Sequence, residues 1–121
     1  MDTPKIFESE YRFCQILWDN EPIRSSELVR LCQEILGWKQ STTYTVIKRL
    51  SQRGVLQNEH SVVTSLVSRQ QVQTAEIDEL IENRFNGSIP SFLAAFTDSH
   101  ALSKEDLDDI QKMIDTIRKG R

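Results

Sequence analysis

Residues 39–50 read KQSTTYTVIKRL, and this stretch carries the side chains best able to do chemistry. Ser41, Thr42, Thr43, Tyr44 and Thr45 set hydroxyls at the front of a segment whose second half favours helix, and Lys48 and Arg49 follow about one turn later. Hydroxyls and cations in that order can bond phosphate oxygens and polar base edges, and a threonine methyl can meet a thymine methyl. Serine and threonine are indifferent helix formers, so the segment gives up propensity for short side chains that allow close approach.

At about 100° per residue, Thr43, Val46, Ile47 and Leu50 share one side of such a helix. Ser41, Thr45, Lys48 and Gln52 run down the opposite side. Tyr44 flanks this exposed stripe on one edge; Thr42 and Arg49 flank it on the other. Any surface helix shows serine, threonine and lysine to water, so the elements around it must decide.

Those elements follow from periodicity. Phe7, Tyr11, Cys14, Leu17 and Trp18 recur at helical spacing and predict a helix over residues 7–19, broken at Asn20-Glu21-Pro22. Ser25 and Ser26 offer a cap to a second helix with the stripe Leu28, Cys32 and Ile35, ended by Gly37. The third helix runs from about Ser41 to Arg53 and closes at Gly54. The period then changes: Val55-Leu56, Val62-Val63 and Leu66-Val67 surround a polar Asn58-Glu59-His60-Ser61 tip, which predicts a hairpin.

Polar residues 68–73 are expected to join this unit to a second one. There, Ile77, Leu80, Ile81 and Phe85 mark a fourth helix, and Ile89, Phe92, Leu93 and Phe96 a short fifth. Ser103, with Asp106 three residues on, opens a sixth along Leu107, Ile110, Ile114 and Ile117. The expected fold is mainly α with a small β hairpin. Residues 1–70 would form a winged helix-turn-helix whose third helix enters the major groove, and residues 71–121 a three-helix dimerisation unit. The apolar stripes of the second unit exceed what so small a body buries alone, so Ile77, Leu80, Ile81, Phe92, Phe96, Leu107, Ile110, Ile114 and Ile117 are candidates for a dimer interface.

The net charge of −3 is unevenly spread. Residues 1–70 hold nine Lys/Arg against eight Asp/Glu, whereas residues 71–121 hold six against ten. That split suits a near-neutral unit that touches phosphate and an acidic unit with another task. No apolar run of about 18 residues and no basic-then-apolar leader occurs, so a cytoplasmic protein without membrane association is expected. Cys14 and Cys32 form no CxxC pair, and His60 and His100 stand alone. Buried thiols, solvated imidazoles and no metal site are expected. Glu105, Asp106, Asp108 and Asp109 fall in the first turns of the sixth helix, where acids favour the helix dipole. With no phosphate loop or nucleophile elbow, neither an enzyme nor a cofactor is expected.

YRFCQILWDNEPIRSSELV, followed by GWKQSTTYTVIKRLSQRGVL, resembles the penicillinase-repressor family of bacterial regulators. The shared pattern comprises Ile16-Leu17-Trp18, Trp38, the threonine-rich helix with Thr42, Thr45, Arg49 and Leu50, and Gly54 with Val55 and Leu56. The likeness continues through residues 84–115. It implies a transcriptional repressor that binds a palindromic double-stranded operator as a homodimer. Lys39, Ser41, Thr42, Tyr44, Thr45, Lys48 and Arg49 are the candidate DNA-binding residues, Lys48, Arg49 and Lys39 on phosphates.

Departures from the pattern matter. Many members carry lysine where Ser41 stands and a basic or polar residue where Tyr44 stands, and their wings carry Lys or Arg where this chain has Glu59, His60 and Ser61. Copper-responsive members end in a cysteine-rich tail, and this chain ends without thiols. Antibiotic-responsive members are cut at an Asn-Phe bond in the fifth helix by a regulatory protease; the matching bond here is Ala95-Phe96, which keeps the phenylalanine alone. The wing without lysine or arginine and the acidic balance leave a second reading open, a winged-helix adaptor that binds protein instead of DNA.

Overall fold

A computed structural model describes residues 3–120. In chain order it contains α1 (Glu8–Asn20), β1 (Ile23–Arg24), α2 (Ser25–Leu36), α3 (Gln40–Gln52), β2 (Leu56–Glu59), β3 (Val62–Ser65), α4 (Arg69–Phe85), α5 (Ile89–Ser99) and α6 (Lys104–Lys119). The mainly helical class and the hairpin follow the sequence reading. The hairpin, however, is part of a three-stranded antiparallel sheet in the order β1, β3, β2. A two-residue strand is too short to leave a periodic signal, which is why β1 is invisible in the sequence.

The chain divides into two compact units, residues 1–77 and residues 78–121. In the first, Phe13, Leu17, Leu28, Leu50, Leu56 and Val63 are almost wholly closed to solvent, each worth about 1.5–3 kcal/mol of burial. Trp38 stacks on Phe13, ring centroids 6.0 Å apart, and the Trp18 indole N–H donates to the Val67 carbonyl at 2.9 Å. The Glu21 carboxylate, just past α1, accepts from the Ser65 amide at 2.7 Å and from its hydroxyl. These bonds tie the end of β3 to the helix that precedes the sheet.

Several expected core positions are corrected. Phe7 lies before α1 and is 55% exposed, its ring covered instead by the cations of Lys5 and Arg53. On α2 the buried stripe is Leu28, Val29 and Cys32; Ile35, in the last turn, extends past the covering elements and is exposed. Arg24, rather than a serine, occupies the N-cap position of α2, and Ser25 is already helical, its amide donating to the Ser61 carbonyl at 2.8 Å. Leu66 is also exposed. Residues 68–73, expected to join two units, are mostly helical: Ser68 and Gln71 bond one another reciprocally, α4 begins at Arg69, and Val72 is buried with the first unit's core. A polar stretch is helical here because one apolar residue per turn suffices to dock it.

In the second unit α4 ends at Asn86 and Gly87, both in the left-handed region, and the Ser88 and Ser103 hydroxyls cap α5 and α6 at 3.1 and 3.0 Å. Phe85 and Phe92 meet edge to face at 5.5 Å. Neither α5 nor α6 buries a single residue completely, and Leu80, Ile89, Leu93, Phe96, Leu107, Met113, Ile114 and Ile117 stay exposed. Ile81 alone of the expected interface residues is buried within the chain; Phe92 and Ile110 are half-buried.

Candidate nucleic-acid interface

α3 sorts its residues as the helical wheel requires. Thr43, Val46, Ile47 and Leu50 are buried, whereas Lys39, Ser41, Thr42, Tyr44, Thr45, Lys48 and Arg49 are exposed. No acidic residue lies anywhere on α3. Its first turn carries no side-chain cap either, and Lys39 stands at the N-cap, so the positive end of the helix dipole faces outward without compensation. Hydroxyls, open amides and cations therefore share one outward surface.

Ion pairing decides which of the nearby cations are free. Arg12 pairs with Glu8, Arg30 with Glu27 and Glu34, and Arg69 with Asp19. Arg53 lies 2.7 Å from the buried carboxylate of Glu10, and Arg49 Nε is 3.7 Å from the same oxygen. Burial pushes the Glu10 carboxyl up, but the hydrogen bonds from Arg53 and the Phe7 amide, with the charges of Arg53 and Arg49, outweigh it and hold its pKa below the usual value. Arg49 is thus anchored at one edge while remaining half exposed. Among the described residues of the first unit, Lys5, Arg24, Lys39 and Lys48 have no carboxylate partner.

Arg24 is an exposed cation that the sequence reading did not single out. β1 pairs with β3 so that Arg24 opposes Val62, and β2 pairs so that Glu59 opposes the same Val62. Side chains in register across a sheet share a face, so the exposed Arg24 and Glu59 lie on the solvent side, about two strand spacings or ~10 Å apart. The only hint in the sequence was an arginine one residue before an expected cap.

Beneath α3, the Thr43 hydroxyl is completely buried and lacks a hydrogen bond of ordinary geometry. It lies near the Cys32 thiol, whose pKa is pushed up to about 11 by burial and only partly drawn back by that hydroxyl. Cys14, also buried and near the Glu10 charge, rises to about 12. Both cysteines are free, and among the described residues no three His, Cys, Asp or Glu side chains gather as a metal-holding group. His60 and His100 are exposed.

The sequence profile of the penicillinase repressor matches residues 6–116. The chain belongs to the penicillinase repressor family. This repressor-family chain is also similar to an uncharacterized 16.5 kDa protein of Latilactobacillus sakei, encoded in the ptsI 3' region, with 27% identity over 117 residues, 93% of this chain and 80% of that protein. Among solved structures it is similar to the monomeric form of Bacillus licheniformis BlaI in complex with the blaP half-operator. That likeness has a TM-score of 0.51 and 22% identity, and covers 59% of this chain and 93% of the other. The family match fits a regulatory chain rather than an enzyme, and the structural likeness gives the winged-helix fold.

Proposed function

We propose that this repressor-family protein binds a double-stranded DNA operator through α3 and acts as a transcriptional repressor. The observation that carries this reading is the acid-free outward face of α3, where Ser41, Thr42, Tyr44 and Thr45 are exposed beside Lys39, Lys48 and Arg49. The hydroxyls and Tyr44 would address base edges and phosphates in the major groove, and the cations would hold backbone phosphates. The BlaI relative, solved on its half-operator, supports the same use of the fold.

The finer proposal is a homodimer on a palindromic operator. Its support is the apolar surface of the second unit: Ile77, Leu80, Phe96, Leu107, Ile114 and Ile117 all remain exposed in the single chain. Two heads would then read half-sites separated by about 10 bp or a multiple of it. Among the described residues no helix is long and apolar enough to cross a membrane, and the cytoplasm, where an operator lies, is the proposed place of action. Ala95 and Phe96 are exposed on α5, which leaves that bond open to a regulatory protease.

Gel shifts on the DNA upstream of the chain's own gene, across a range of salt, test the main reading. Binding that falls with salt, and falls further in Lys48→Ala, supports it. Absence of binding even at low salt rejects it in favour of the protein-binding adaptor, for which a wing tip without lysine or arginine speaks.

A further inference from the structure

We infer that Arg24 supplies the phosphate contact that the wing itself lacks. The inference rests on the DNA-binding reading and adds to it a residue outside α3. Three observations converge on Arg24. The turn His60-Ser61 and both wing strands contain no lysine or arginine, and the hairpin's one carboxylate is Glu59. Arg24, by contrast, is exposed and without a carboxylate partner among the described residues.

The third observation is place. The Ser25 amide donates to the Ser61 carbonyl at 2.8 Å, and Arg24 opposes Val62, the first residue after the turn. This arginine is therefore built into the wing, although it comes from a segment more than thirty residues earlier in the chain. It is also the residue from which α2 starts, and the first helix of a helix-turn-helix is the one that crosses the DNA backbone. Backbone-crossing helix and flanking wing meet at one point, and the exposed cation there is Arg24. A guanidinium suits the role because its planar fork can hold two oxygens of one phosphate.

Glu59 opposes this arrangement. It shares the solvent face with Arg24, on the far side of Val62, and a like charge near phosphate weakens binding. Arg24 and Glu59 together set the net charge that the wing presents.

The test compares full-length wild type, Arg24→Ala, Arg24→Lys and Glu59→Gln on one operator duplex and on a scrambled duplex, over a series of salt concentrations. Arg24→Ala should flatten the slope of log K against log salt by about 0.9, so that the wild type's advantage shrinks about 3.5-fold for each fourfold rise in salt. The loss should be alike on both duplexes, because a phosphate contact carries no sequence information. Arg24→Lys should restore the slope, and Glu59→Gln should tighten binding to both. Thermal midpoints should match, since the Arg24 side chain is exposed and β1 pairs through backbone. Wild-type binding with an unchanged slope in Arg24→Ala overturns this inference alone; a wild type that binds neither duplex overturns the DNA-binding reading with it.

Discussion

The Glu10 carboxylate, almost closed to solvent, lies 2.7 Å from the Arg53 guanidinium and joins the start of α1 to the end of α3. One of its oxygens accepts from the Phe7 amide at 3.0 Å, while the other meets Arg53 and, at 3.7 Å, Arg49. Arg53 in turn donates to the Lys5 carbonyl and lies over the Phe7 ring. The candidate recognition helix is thereby fixed at its C-terminal end by a buried charge that no local pattern announces.

Removing that charge should cost stability. Glu10→Ala leaves Arg53 partly buried without its partner, and a destabilisation of about 1–3 kcal/mol is expected, below the range for fully buried pairs because Arg53 keeps some access to water. The pH dependence has a definite sign. Glu10's folded pKa is lowered, so its contribution is present above the unfolded pKa and is lost as pH falls through the folded one. Urea titrations at neutral and acid pH check this: wild type should weaken on acidification more steeply than Glu10→Gln.

The wing turn offers a stabilising change. His60 and Ser61 have φ of 52° and 63°, the two positive values of a type I′ hairpin turn, which asparagine and glycine adopt at far lower cost. Replacing His60-Ser61 by Asn-Gly should raise stability by about 1–2 kcal/mol while leaving the Ser25 to Ser61 backbone bond in place. Thermal melts measure the gain. A loss would mean that the His60 or Ser61 side chain does something in the fold that its exposure does not reveal.

How much of this was legible beforehand depended on the range of each interaction. Thr43, Val46, Ile47 and Leu50 were separable from Ser41, Thr45 and Lys48 because helical periodicity is local and α3 obeys it. Gly37 and Gly54 marked helix ends for the same reason, through φ values of 71° and 79°. Periodicity failed where the third dimension decides. It put Phe7 and Ile35 in the core because it cannot see how far the covering elements reach. Nothing local marks Glu10 for burial, since its partner Arg53 is 43 positions away. Arg24 joined the wing only through pairing with β3, a register that no local pattern encodes.

Beneath α3, Thr43 should tolerate loss of its hydroxyl. The oxygen is buried without a well-formed hydrogen bond, so Thr43→Val exchanges an unsatisfied polar atom for a methyl of similar shape. Stability should stay level or rise by up to about 1 kcal/mol, measured by urea denaturation. A clear loss would show that the hydroxyl holds the Cys32 thiol. Both thiols should also resist alkylation near neutral pH in the folded protein, since their pKa values of about 11 and about 12 leave almost no thiolate, and should react on unfolding.

The assembly proposal is the most exposed to test. On α6, Ile114 and Ile117 are open to solvent and Ile110 is half-buried, an apolar stripe with no cover within the second unit. Ile110→Asp with Ile114→Asp should leave the first unit folded, because its core of Phe13, Leu17, Leu28 and Leu50 involves none of these residues. Sedimentation should then report a monomer for the variant and a dimer for wild type. Operator affinity should drop by orders of magnitude, because two linked heads bind through an effective concentration that separate heads do not have. Binding to an isolated half-site should change little, which distinguishes lost pairing from a damaged head. A double variant that sediments like wild type would remove α6 from the interface and leave the exposed residues of α4 and α5 as its only candidates in the second unit.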